Sequence, residues 1–212
     1  MCASYGLDPR FEDDDFVGVL DAELLRSLRT WAERNANETL RPTGKNLRNL
    51  NPIFVAGDGA PALELGWWGY LVNGEPAKFP SINTRSERVL QRPTALTARA
   101  IVPATRWFEM QKPSRTWYSF GLDSHELLGL AAVTQRGRTS DGASFTCYSI
   151  LMQPAVASLS EFHDRMPVLI PPDLVVDWLQ SVAPPHELLD AAMVSSGSVT
   201  KDLAAVSMTD RP

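Results

Sequence analysis

Cys2 is the residue whose type and position most readily support covalent chemistry. Once Met1 is removed, which a small second residue is expected to permit, Cys2 carries a free α-amine and a thiol on adjacent carbons. The amine condenses with an aldehyde to an imine, and the thiol then adds to the same carbon, closing a five-membered thiazolidine ring. An internal cysteine cannot do this, because its nitrogen is an amide. With a reference pKa of about 7.7 to 8.0, against about 10.4 for lysine, the α-amine has a free-base fraction at neutral pH larger by roughly two to three hundredfold or more. The thiol, near about 8.5, is also partly ionised. A second cluster, Glu161, His163 and Asp164, has two uses open to it. It could supply metal ligands, or it could end a helix, where a cationic histidine favours the dipole. The chain has 3 histidines, so a multi-histidine metal site would need nearly all of them. There is no Walker A loop, GxGxxG turn, HExxH pair or G-x-S-x-G elbow, so nucleotide hydrolysis and zinc proteolysis lose support.

The elements that must position Cys2 are mostly strands. Asp21 can cap a helix whose Leu24, Leu28 and Trp31 make one apolar stripe, with Leu25 and Ala32 beside it, fading out around Asn35 to Asn37. Pro172-Asp173 opens a second helix with Leu174, Val175, Trp178 and Leu179 on one face, and His186 to Val194 suits a third. Between them lie β-rich runs at Pro52 to Ala56, Leu63 to Leu71, Thr116 to Phe120, Leu127 to Val133, Phe145 to Leu151 and Pro167 to Ile170. Turn chemistry separates them, notably Gly57-Asp58-Gly59, Asn73-Gly74-Glu75-Pro76 and Arg136-Gly137 to Asp141-Gly142. Strands in succession with inserted helices predict an α+β fold around a mostly antiparallel, partly closed β-barrel flanked by helices. No repeat, linker or composition shift divides the chain, so a single domain over residues 1–212 is expected.

Composition sets the outer limits. A chain of 212 residues, 44% hydrophobic and 21% charged, can bury a genuine core, roughly 70% of its unfolded surface. The formal charge of -5 excludes a basic field around the whole molecule, so any nucleic-acid site must be a local patch. Four acidic residues between Phe11 and Phe16 stand where a secretory leader would have an apolar region, and no run approaches the roughly 18 to 20 apolar residues of a membrane helix. Two cysteines, Cys2 and Cys147, could make one disulfide but neither a CxxC motif nor a zinc knuckle. A cytoplasmic, monomeric protein with no membrane partner, no metal and no cofactor is the expectation.

Several segments, in order along the chain, resemble one family, the SOS-response-associated peptidase (SRAP) domain that senses abasic sites. Met1-Cys2 opens as the family opens, and Trp68-Gly69 matches its W-G element. Asn83-Thr84-Arg85-Ser86-Glu87 is similar to N-A-R-S-E. Arg99-Ala100-Ile101-Val102-Pro103-Ala104, running to Trp107-Phe108-Glu109, is similar to R-C-L-V-P-A followed by G-F-Y-E-W. His163-Asp164-Arg165-Met166-Pro167 reproduces H-D-R-M-P. Arg41-Pro42-Thr43 corresponds to the A-P-T turn and Ala205-Val206-Ser207 to the closing V-S. The chain departs at Ala3-Ser4, where the family has glycine and an arginine, at Arg88 in place of the threonine of N-A-R-S-E-T, and at Arg106 and Met110 around F-Y-E.

The resemblance implies a barrel that holds single-stranded DNA in a groove ending at Cys2. There the ring-opened deoxyribose of an abasic site is captured as a thiazolidine crosslink, with β-elimination (lyase) and self-cleavage or peptidase chemistry as side activities. Carried over position by position, Cys2 is the nucleophile, Asn83 holds the cysteine or the sugar, Glu109 moves protons and His163 is a second acid/base. Arg85 and Arg165 are candidates for phosphate contacts, and Pro42 with one of Trp67 or Trp68 for stacking beside bases. Each residue also has an ordinary use: Asn83 as a helix N-cap, Glu109 as a strand-edge carboxylate, His163 at a helix end, the tryptophans in the core, and Arg165 paired with Asp164 or Glu161. Two other functions compete. One is a thiol peptidase using Cys2, His163 and Asn83, and the other a noncovalent module for single-stranded DNA.

Overall fold

The computed structural model describes residues 2, 4–35, 40, 50–77, 81–91, 96, 98–112, 114–123 and 125–210. Its strands are β1 (Tyr5–Gly6), β2 (Leu50–Ala56), β3 (Pro61–Trp68), β4 (Leu71–Val72), β5 (Glu75–Pro76), β6 (Asn83–Arg85), β7 (Arg99–Ala104), β8 (Arg106–Met110), β9 (Trp117–Leu122), β10 (Leu128–Arg138), β11 (Ser144–Pro154), β12 (Arg165–Pro167), β13 (Leu169–Ile170) and β14 (Leu203–Met208). The helices are α1 (Ala22–Arg34), α2 (Ser86–Gln91), α3 (Val175–Gln180) and α4 (Pro185–Val199).

Strand β11 is the hub. Residues 146–153 are all buried, the pattern of a strand covered on both faces rather than one. It pairs antiparallel with β10 along one edge and parallel with β3 along the other, and the path β11–β3–β2–β7–β10 returns to β11 as a closed five-stranded barrel. Toward its end, β6 continues the β3 edge, with Asn83 opposite Ile150, and β12 continues the β10 edge, with Arg165 opposite Pro154. The architecture is the expected α+β fold with a mostly antiparallel barrel, and β3 and β6 supply the parallel pairings.

A second sheet, in the order β1-β8-β9-β14, leans on the barrel. Thr105 is the corner where the chain leaves β7 for β8. It is buried, and its N–H and hydroxyl donate to Gly6 O at 2.8 and 3.2 Å. After Thr200, where Ala205-Val206-Ser207 matches the closing V-S, the chain forms β14 along β9, from Leu203 opposite Leu122 to Met208 opposite Trp117.

Helices close the outside. Asp21 caps α1, its carboxylate accepting from Glu23 N at 2.6 Å, and the buried face is Leu25, Leu28 and Ala32, with Leu24 and Trp31 at its margin. Arg99 fastens α3 to the barrel by donating to the terminal carbonyls of Trp178, Leu179 and Ser181, while Trp178 Nε1 donates back to Ala100 O at 2.9 Å. Helix α4 is longer than the periodicity indicates. It packs on β13, where Ser196 Oγ accepts from Leu169 N at 2.9 Å and from Gln153 Nε2 at 2.6 Å.

Candidate active site

The N-terminal segment is placed by backbone pairing. Tyr5 lies opposite Trp107 and Gly6 opposite Arg106, and Phe108 N donates to Ser4 O at 3.1 Å, so the chain runs back along β8 toward Glu109. Cys2 is fully buried. Its thiol donates to Ser4 O at 3.5 Å, and its carbonyl accepts from Asn83 Nδ2 at 2.7 Å. Burial first, and the negative charge of Glu109 second, push the thiol well above its ordinary range, so it is held protonated. Asn83 sits on β6 with its Oδ1 buried and without a hydrogen-bond partner among the described residues, an acceptor beside Cys2. Its side chain is therefore engaged with the cysteine rather than with a helix cap.

Glu109 is buried inside the β1-β8-β9 sheet, not at an edge. His163 Nε2 lies 3.4 Å from its Oε1. His163 follows the turn at 157–162 rather than a helix end, and Phe162 sets the height of that turn by packing on Tyr118 (4.6 Å between centroids) and Phe120 (5.3 Å) of β9. At the other ring nitrogen, Arg165 N donates to Nδ1 at 3.0 Å, and Asp164 Oδ1 lies 2.8 Å away. A neutral ring that accepts at Nδ1 carries its proton on Nε2, facing Glu109, whereas an imidazolium donates from Nδ1 to Asp164.

Four of the expected residues, Cys2, Asn83, Glu109 and His163, meet at this one place. Arg165 adjoins them, lining a small cavity with Glu109, His163, Trp107 and Phe162. Its ion-pair partner is Glu87, 78 residues away, with Arg165 Nη1 at 2.7 and 2.8 Å from the two carboxylate oxygens, and not Asp164 or Glu161. Arg85 is exposed on β6.

The tryptophan expectation needs correction, because neither indole offers a face for a base. Trp68 is buried between Tyr5 and Tyr148, with Nε1 donating to Ile82 O at 2.9 Å, and Trp67 is buried against Phe145. Pairing on both sides, with Leu50 and with Cys147, fixes Trp67 there. Pro42 lies outside the described residues. Arg106 Nη2 donates to His125 Nδ1 at 2.9 Å. Cys2 and Cys147 are both free thiols. Among the described residues no group of three or more His, Cys, Asp or Glu side chains is arranged to hold a metal ion, and no helix is long and apolar enough to cross a membrane. A larger cavity, of about 750 Å³, lies between Phe16, Leu128 and Ile170 and holds none of the site residues.

The family model described as SOS response associated peptidase (SRAP) matches residues 20–209. The chain belongs to the SRAP family. Its relatives include the abasic site processing protein YobE of Bacillus subtilis, 26% identical over 92% of this chain and 95% of that one. Another is the abasic site processing protein YoqW of the same bacterium, 26% identical over 61% of this chain and 67% of that one. Crystal structures share the SRAP fold at low identity. A protein from Bordetella bronchiseptica has a TM-score of 0.67 at 20% identity, covering 99% of this chain and 100% of that one. A protein from Bacteroides thetaiotaomicron has a TM-score of 0.70 at 14% identity, covering 99% and 93%.

Proposed function

We propose that this SRAP chain, with Met1 removed, captures the aldehyde of a ring-opened abasic site in single-stranded DNA as a thiazolidine at Cys2. The observation that carries the reading is the convergence of a buried cysteine, an amide on its carbonyl and a carboxylate–imidazole pair beside it. The naming of relatives as abasic site processing proteins supports it.

The α-amine attacks C1′ first, since the imine it forms is the carbon to which sulfur then adds. Addition gives a carbinolamine, and loss of its hydroxyl as water gives the imine. His163, with a proton on Nε2 or on both nitrogens, delivers the proton that turns the hydroxyl into water. The imine forms protonated on nitrogen; as sulfur adds to its carbon, Glu109 takes the thiol proton and passes it back to His163, so that both groups end as they began. The net reaction is aldehyde plus amine plus thiol to thiazolidine plus one water. The acceptor Oδ1 of Asn83 suits an N–H of the α-amine, and its Nδ2 fixes the backbone from which that amine projects. Arg85 and Arg165 take phosphates on either side. The ring resists the β-elimination open to the imine, so strand cleavage is a slow side path.

A thiol peptidase needs a thiolate made available by a lowered pKa. Cys2 has the opposite environment, raised by burial and by Glu109. We infer from this that peptidase chemistry ranks behind aldehyde capture.

Intact-mass analysis of the Met1-free protein, before and after incubation with a single-stranded oligonucleotide bearing one abasic site, tests the proposal. Wild type should gain the oligonucleotide less one water and Cys2→Ala should gain nothing. A Met1-free wild type that forms no adduct, or a Cys2→Ala variant that still does, overturns it.

A further inference from the structure

Glu87 has no part in the scheme above, yet it fastens the two walls of the site together. It lies in the first turn of α2, two residues beyond Arg85, on the side of β11 where β6 carries Asn83. Arg165 begins β12 on the opposite side, and Met152 of β11 faces Arg85 across one edge and Pro167 across the other. The Glu87–Arg165 pair therefore spans the end of β11, joining the wall that holds Cys2 to the wall that holds His163. Both carboxylate oxygens converge on the single nitrogen Nη1, at 2.7 and 2.8 Å, and Ser86 Oγ donates to Oε2 at 3.4 Å. The same Arg165 supplies the backbone N–H that holds His163 Nδ1 at 3.0 Å.

We propose that Glu87 is a positioning residue of the site. By clamping Arg165 through Nη1 it fixes the N–H that orients the His163 ring toward Glu109, and it leaves the Nε and Nη2 donors of Arg165 to take a DNA phosphate. The second half of this statement rests on the abasic-site reading, whereas the first does not. An ion pair whose carboxylate side chain is 48% exposed adds little to stability, so loss of Glu87 registers in the site and hardly in the melting temperature. A carboxylate near a phosphate path also repels DNA, and the two effects have opposite signs. Clamping predicts that neutralising Glu87 impairs the site, and repulsion predicts that it improves binding.

The test uses full-length, Met1-free protein as wild type, Glu87→Gln, Arg165→Ala and the double variant. Without DNA, 15N NMR of the imidazoles, assigned with His125→Gln and His186→Gln, should show the His163 Nδ1 resonance moved by Glu87→Gln, with no further movement in the double variant. With abasic single-stranded DNA at saturation, Glu87→Gln and Arg165→Ala should each slow adduct formation about tenfold, and the double variant no more than the worse single one, because both remove one linkage. Tighter binding or faster reaction in Glu87→Gln, an unmoved His163 resonance, or single effects that multiply would each overturn the inference. If wild type forms no adduct the abasic-site reading fails by itself, and the imidazole resonances still decide whether Glu87 positions His163.

Discussion

At the scale of single residues, the candidate site sets a buried thiol beside the Glu109 carboxylate. The Cys2 thiol is fully buried, and burial raises its pKa more than the Glu109 charge does. Replacing Glu109 with glutamine removes the smaller cause and leaves the larger. In a Cys147→Ser background, where Cys2 is the only thiol, Glu109→Gln should therefore speed iodoacetamide alkylation at pH 8 by about three- to tenfold, since each pKa unit is a tenfold change in thiolate. The modified protein should still react far more slowly than free cysteine. An unchanged or slower rate, measured by mass spectrometry, would mean that Glu109 does not act on the thiol. Asn83, Glu109 and His163 were legible only as a set in family order, because each alone has an ordinary use. The Glu87–Arg165 pair was not legible at all, since Asp164 and Glu161 lie nearer in sequence and nothing local marks a partner across β11.

At the scale of elements, β9 supports β8 and so determines where Glu109 sits. Gly121 of β9 lies opposite Arg106, and a Cβ there would meet Thr105 O at 2.6 Å, backbone that cannot swing aside. Gly121→Ala should destabilise the fold by about 1–3 kcal/mol, lowering the melting temperature by roughly 2–4 °C per kcal/mol. Gly197, inside α4, is the matched control, because its added Cβ meets nothing within 4 Å. Gly197→Ala should stabilise by about 0.5–1 kcal/mol, as expected for a helix interior. Thermal denaturation of the two variants checks both signs at once, and a stable Gly121→Ala would show that β8 and β9 can part locally. The same contrast explains what the sequence reveals of the elements. Helix α1 is legible because its cap and its apolar stripe lie within one segment. Strand β14 is not, because its centre, Ala205–Ser207, is exposed and shows no apolar alternation, and its register comes from backbone bonds to β9. Strands β7 and β8 read as motif rather than as strand, since the corner at Thr105 interrupts any alternation.

At the scale of the whole molecule, the barrel keeps several ionisable groups neutral, and pH reports how well. Tyr5 and Tyr148 share a 2.9 Å hydrogen bond between their hydroxyls, Asn51 Nδ2 donates to Tyr148 at 2.9 Å, and burial pushes both phenols well above the usual tyrosine range. Tyr70 is pushed up to about 12, mainly by burial, despite hydrogen bonds with Thr84 and Ser149. In the unfolded chain these phenols ionise near their reference value of about 10. Above that pH the unfolded state loses protons that the folded state retains, so stability is intact below about pH 10 and declines as pH rises through the folded values. For Tyr70 alone the decline between pH 10 and 12 is about 2–3 kcal/mol. The acid side has the opposite sign. Asp8 is held down to about 2, chiefly by its hydrogen bonds from Arg10. Glu87 is raised by burial, but more than compensated by its backbone and by Arg165. The contribution of Asp8 is present above the ordinary carboxylate values and is lost as pH falls through the lowered one, with Glu87, its side chain 48% exposed, adding little. Urea midpoints from pH 2 to 12 should therefore form a plateau with two shoulders, and Tyr70→Phe should lower the plateau while flattening the alkaline shoulder. An alkaline shoulder unchanged in Tyr70→Phe would mean that Tyr70 ionises freely in the folded state, and that water reaches the barrel beneath β6.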